Sequence, residues 1–123
     1  MGRTILIVDD SSLMLWTVNS TLHMAGFVVE KAEDGVVALN KLKGGLKPVL
    51  IITDINMPHM GGIELIQNVR AMPGLRFIPI LAMTTESQAE KRAEGKKAGV
   101  TGWLVKPVEA SQLLAVIKQV LPA

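Results

Sequence analysis

The chain has 123 residues, close to the commonest size of one domain and enough to bury a core without disulfides or a structural metal. It has no cysteine, which excludes disulfides, thiolate metal sites and thiol nucleophiles. Thirteen basic and eleven acidic residues leave a net charge of +2, scattered apart from Lys91, Arg92, Lys96 and Lys97, so the dense basic stripe of a nucleic-acid binder is missing.

The N-terminus carries one basic residue ahead of Asp9 and Asp10 and no small-residue cleavage site, which argues against a secretory signal and for a cytoplasmic protein. Residues 4–8 are apolar and β-branched, as expected of a strand covered on both faces. Residues 13–25 have apolar side chains at Leu13, Trp16 and Met24, a helical spacing closed by Gly26. A second strand is predicted at 27–32, and a short helix opens at Asp34-Gly35, runs through Val37, Ala38 and Leu42 and stops at Gly44-Gly45. A third strand follows at 49–53, then a helix at 63–72 with Ile63, Ile66 and Val69 on one stripe, ending before Pro73. The fourth strand is expected at 78–83 with Pro79 near its start, a polar helix at 86–98, a fifth strand at 102–105 and a last helix at 109–121. In the polar helix, Ala89 and Ala93 form a thin stripe able to hold it to the sheet. No apolar run approaches the roughly 20 residues needed to cross a bilayer.

Strands alternating with helices imply right-handed βαβ units, so the fold class is α/β, a doubly wound five-stranded parallel sheet with five helices. Residues 1–123 form one domain on this reading. In such sheets the chemistry lies beyond the carboxyl ends of the strands, where the strand order reverses. Those ends carry Asp9 and Asp10, Asp54, Thr84 and Lys106. Taken singly, each has an ordinary explanation: Asp10 as a helix cap before Ser11-Ser12, Lys106 as a surface lysine. Taken together they do not. Three carboxylates within about 5 Å would repel by roughly 3 kcal/mol per pair at an effective dielectric of about 20, so positive charge belongs among them. Lys106 supplies one charge; oxygen donors plus water suit Mg²⁺ for the rest.

Asp9-Asp10 after the first strand, Asp54 in TDINMP, Thr84 after the fourth and Lys106-Pro107 after the fifth resemble the receiver domains of two-component response regulators. The resemblance covers the whole chain, and TTES and GWLVKP are most similar to single-domain, chemotaxis-type (CheY-like) receivers with the flavodoxin-like fold. It implies a phosphoprotein that catalyses its own phosphorylation and dephosphorylation without being a conventional enzyme. Asp54 would be the phosphoacceptor. Asp10, Asp54 and the Asn56 backbone carbonyl would hold Mg²⁺ or Mn²⁺, with Asp9 acting through a water. Lys106 would pair with the carboxylate and then the phosphoryl group, Thr84 would donate its hydroxyl to it, and Pro107 would follow a cis peptide. Asn56 and Glu86 would flank the path of the hydrolytic water. Thr84 and Trp103 would form the conformational switch. The implied partners are a sensor histidine kinase and a downstream protein target that meets the Glu86–Ala98 helix, the fifth strand and the last helix. The protein is expected to be a monomer that binds no DNA and inserts into no membrane.

Three positions depart from the family pattern. Gly61-Gly62 replaces the frequent Asp-Gly, Val108 the frequent Phe, and Trp103 the usual Tyr or Phe. Rival readings fare less well. A haloacid-dehalogenase phosphatase needs a second Asp where Asn56 stands, and a flavin module needs a Ser/Thr/Gly-rich phosphate loop where Asp9 and Asp10 stand. The receiver half of a longer DNA-binding or enzyme-linked regulator is the alternative, set against the expectation that a chain ending at Ala123 leaves no room for an effector domain.

Overall fold

Short β-branched runs bounded by Gly and Asp are too brief for helices and too apolar for loops, and each becomes a strand. The computed structural model describes residues 3–85 and 89–121, with the backbone alone at 89–91. Its elements are β1 (Thr4–Val8), α1 (Ser12–Met24), β2 (Val28–Ala32), α2 (Gly35–Lys43), β3 (Leu50–Asp54), α3 (Gly62–Arg70), β4 (Ile80–Thr84), α4 (Ala89–Ala98), β5 (Gly102–Val105) and α5 (Ala110–Val120). All strand pairs are parallel, in the order β2-β1-β3-β4-β5. This is the order known from flavodoxin and from CheY, and its reversal lies between β1 and β3.

Two apolar layers flank the sheet. On one side Ile5, Ile7, Leu50, Ile52 and Leu81 meet Val18 and Leu22 of α1 and Leu113 and Ile117 of α5. On the other, Leu6, Val8, Ile51 and Ile80 meet α2 and α3 through Ala38, Leu42, Leu65, Ile66 and Val69. Each fully buried Leu or Ile contributes about 1.5–3 kcal/mol relative to exposure, so the three central strands are the most costly part of the molecule to disturb.

The elements match the sequence reading within a few residues, except that the expected start of the polar helix at 86–88 lies outside the described residues. β4 starts at Ile80 rather than 78 because Pro79 has no N–H for the ladder, although its carbonyl accepts from Ile51 N at 3.1 Å. In two helices the inward face is not the one that the apolar spacing marks. Leu13, Trp16 and Met24 point to solvent, 72%, 66% and 88% exposed, while Val18 and Leu22 face the sheet. In α4, Ala93 is exposed while Gly95 and the half-buried Ala98 lie inward; the side chain of Ala89 lies outside the described residues.

Candidate functional site

β1 delivers Asp9 and Asp10 to the reversal of strand order, and β3 delivers Asp54 beside them. One carboxylate oxygen from each lies within 4.8 Å of the others. Asp9 is 1% exposed and its Oδ1 accepts from Ser11 N at 2.9 Å. Ser11, not Asp10, caps α1: its hydroxyl accepts from Met14 N at 3.2 Å, which leaves Asp10 exposed and available to the cluster. Asp54 Oδ1 accepts from Ile55 N at 2.8 Å. α3 begins very close to this residue, because a side chain at Gly62 would collide with the Asp54 carbonyl oxygen. Gly61 caps α3 without a side-chain bond, a loss of only a few tenths of a kcal/mol relative to Asp.

Lys106 follows β5, and its bond to Pro107 is cis. Its Nζ stands 3.0 Å from Asp9 Oδ2 and 3.1 Å from Asp54 Oδ2. Asp9 Oδ2 is nonetheless buried without a hydrogen bond, so the ammonium faces it as an ion-pair partner off the line of a good donor. Three ionised carboxylates against one ammonium leave a formal excess of two negative charges. A buried, unbonded carboxylate oxygen, an all-oxygen donor set and a double negative excess fit a hard divalent cation.

The electrostatics agree with this crowding. Burial, then the neighbouring Asp9 charge, push the Asp54 carboxyl above its ordinary value, while Lys106 and the Ile55 N–H pull the other way. Burial works against the charge on Lys106, yet its pairing with Asp9 and Asp54 outweighs that and raises its pKa.

Residues 5–118 match the response regulator receiver domain. The chain belongs to that family. This receiver is 44% identical over 110 residues to chemotaxis protein CheY-3 of Vibrio cholerae, covering 89% of this chain and 84% of that protein. It is 40% identical over 117 residues to chemotaxis protein CheY of Pseudomonas aeruginosa, covering 94% of each. It superposes on the solved structure of the V. cholerae chemotaxis response regulator CheY4 with a TM-score of 0.92 at 44% identity, covering 98% of this chain and all of that one.

The other sequence-read residues are placed by the elements that carry them. Thr84 ends β4, 1% exposed, with its hydroxyl donating to Thr85 O at 3.2 Å. Asn56 is exposed two residues beyond Asp54, and Glu86 lies outside the described residues. Trp103 points away from Leu104 and sits beneath α4. A methyl added to Gly95 would fall 2.5 Å from Trp103 Cη2 and 3.5 Å from Ile63 Cδ1, and Arg92 lies 5.6 Å from the indole centroid. Two features escaped the sequence reading: the Gly95 seat for this ring, and an Asp34–His59 pair at 2.9 Å that ties the loop after β3 to the start of α2. His59 and Asp34 are 25 residues apart, and nothing in their local sequence announces the contact.

Proposed function

We propose that this chain is a response regulator of a two-component phosphorelay, serving chemotaxis, that takes its phosphoryl group on Asp54. The observation that carries this reading is a buried Asp54 carboxylate, ion-paired to Lys106 at 3.1 Å and grouped with Asp9 and Asp10 at the reversal of strand order. An Asp54 oxygen attacks the phosphorus of a phosphohistidine on a sensor kinase. The P–N bond breaks, its electron pair returns to the imidazole, and an aspartyl phosphate forms. Lys106 follows the charge from the carboxylate to the phosphoryl oxygens, and Thr84 turns its hydroxyl from Thr85 O toward them. Asp10, Asp54 and the Asn56 carbonyl, with Asp9 acting through a water, would hold Mg²⁺ or Mn²⁺, which would supply positive charge to the transferring group. Hydrolysis returns Asp54 to its carboxylate, and Asn56 and Glu86 are the residues whose replacement should change its rate.

The output surface in this reading is α4, β5 and α5, where a cytoplasmic protein target would read the Thr84 and Trp103 arrangement. Thr84 couples a local charge change to a choice between two arrangements of Trp103 and α4. Incubation with acetyl phosphate and Mg²⁺ should add one phosphoryl mass to the intact protein, and Asp54→Ala should add none. In a Trp16→Phe background the same treatment should change Trp103 emission. Unmodified wild type, or equal modification of Asp54→Ala, would sink the proposal.

A further inference from the structure

At the end of the sheet opposite the acidic cluster, the connections 44–49 and 71–79 enclose a groove of about 570 Å³, within the usual range for binding sites. Leu46, Pro48, Met72 and Leu75 contribute to its apolar lining, and Lys47 and Arg76 supply its only charges. No acidic residue lines it, and neither cation forms a salt bridge among the described residues. Phe77 stands at the groove 91% exposed, with the Arg76 guanidinium 5.8 Å from its ring centroid. It is the most exposed large apolar side chain among the described residues, and it borders the groove's apolar lining.

The wall carrying Phe77 is braced. Arg70, at the end of α3, donates through Nη1 to Arg76 O at 3.2 Å and Ile78 O at 2.6 Å. Its Nε and Nη2 donate to Gly99 O at 3.0 and 2.7 Å. These bonds hold the carbonyls on either side of Phe77, so the ring is presented by a fixed loop and an occupant finds the site already formed.

We propose that this groove docks an acidic, hydrophobic peptide segment of a protein partner. Two cations with no carboxylate partner among the described residues, set at an apolar trough, call for alternating carboxylates and apolar side chains, and the concave, braced shape suits an extended segment better than a membrane surface. β3 spans roughly 15 Å between the groove and Asp54, so a segment can dock here while the acidic cleft stays open.

The test uses the ¹⁵N-labelled full chain and three probes: a peptide alternating Glu with Leu and Phe, its Lys-for-Glu counterpart, and phosphatidylglycerol vesicles. The acidic peptide should shift the amides of Leu46, Gly74 and Phe77 saturably. Phe77→Ser, and Lys47→Glu combined with Arg76→Glu, should each weaken it roughly tenfold, the scale of interface anchors. All three positions are exposed, so the variants should keep the wild-type amide spectrum and phosphoryl uptake from acetyl phosphate. Equal binding of the lysine peptide, shifts confined elsewhere, affinity unmoved by the variants, or binding to vesicles but not to the acidic peptide would each overturn the proposal.

Discussion

Asp34, two residues beyond β2, and Asp54, the last residue of β3, follow the two strands that flank β1 and are each 7% exposed, yet their carboxyls move in opposite directions. Asp34 is held below its ordinary value, first by the Val37 N–H at 3.0 Å and then by His59. Asp54 is pushed up, first by burial and then by Asp9. Equal exposure therefore hides different surroundings. Asp34 is thinly covered and has donors for both oxygens, whereas Asp54 is deeply embedded and shares its cation with a second carboxylate. The surroundings of one carboxyl favour its charged form and those of the other disfavour it.

Exchanging the charges should expose this difference most strongly. In metal-free buffer Asp54→Asn should stabilise the protein against denaturant, with an upper bound of roughly 3 kcal/mol from one carboxylate pair at a dielectric near 20. Asp34→Ala should lose about 1–2 kcal/mol, the usual cost of removing an N-cap side chain. Added Mg²⁺ should raise the melting temperature of wild type and do little for Asp54→Asn. A metal-free Asp54→Asn that unfolds more easily than wild type would show that the cluster is not self-repelling.

Acid titration of stability separates the pair by sign. Above a reference of 3.8, folded Asp54 holds its proton more tightly than the unfolded chain, so its contribution falls as pH rises through its raised value. Asp34 contributes stability that is present above 3.8 and lost as pH drops through its lowered folded value. Melting curves of Asp54→Asn and Asp34→Asn, each subtracted from wild type in metal-free buffer, should slope in opposite directions. Parallel differences would remove the contrast. The smallest effect belongs to His59→Gln. With its side chain 73% exposed, the pair to Asp34 is worth under about 0.5 kcal/mol, and a larger loss would mean the loop after β3 depends on it more than the geometry indicates.

The architecture was legible because each β-branched run is bounded by Gly, Pro or Asp, and the cleft because its carboxylates and Lys106 immediately adjoin or close such runs. What was illegible depends on which way a helix is turned. α1 has apolar side chains on both faces, so spacing alone selected Leu13, Trp16 and Met24, while tertiary packing turned Val18 and Leu22 inward. The Asp34–His59 tie joins distant loops through a residue at φ 66°, a conformation that no local pattern at His59 signals. In α4 the most buried of the described inward residues is a glycine, which hydropathy cannot flag.

That glycine bears on how the molecule opens. Gly95 is the one buried position among the described side chains of α4, and it anchors the helix by receiving an indole instead of inserting a side chain of its own. A glycine inside a helix costs roughly 1 kcal/mol relative to alanine, and here alanine would strike the ring. Among its described side chains, α4 is thus held by Trp103 on an edge strand and by Ala98 against the α2–α3 layer, and we expect it to detach as a small cooperative unit while the central strands stay closed. Native-state hydrogen exchange should therefore find the amides of 92–98 exchanging through a low-energy local opening, well before those of β1, β3 and β4.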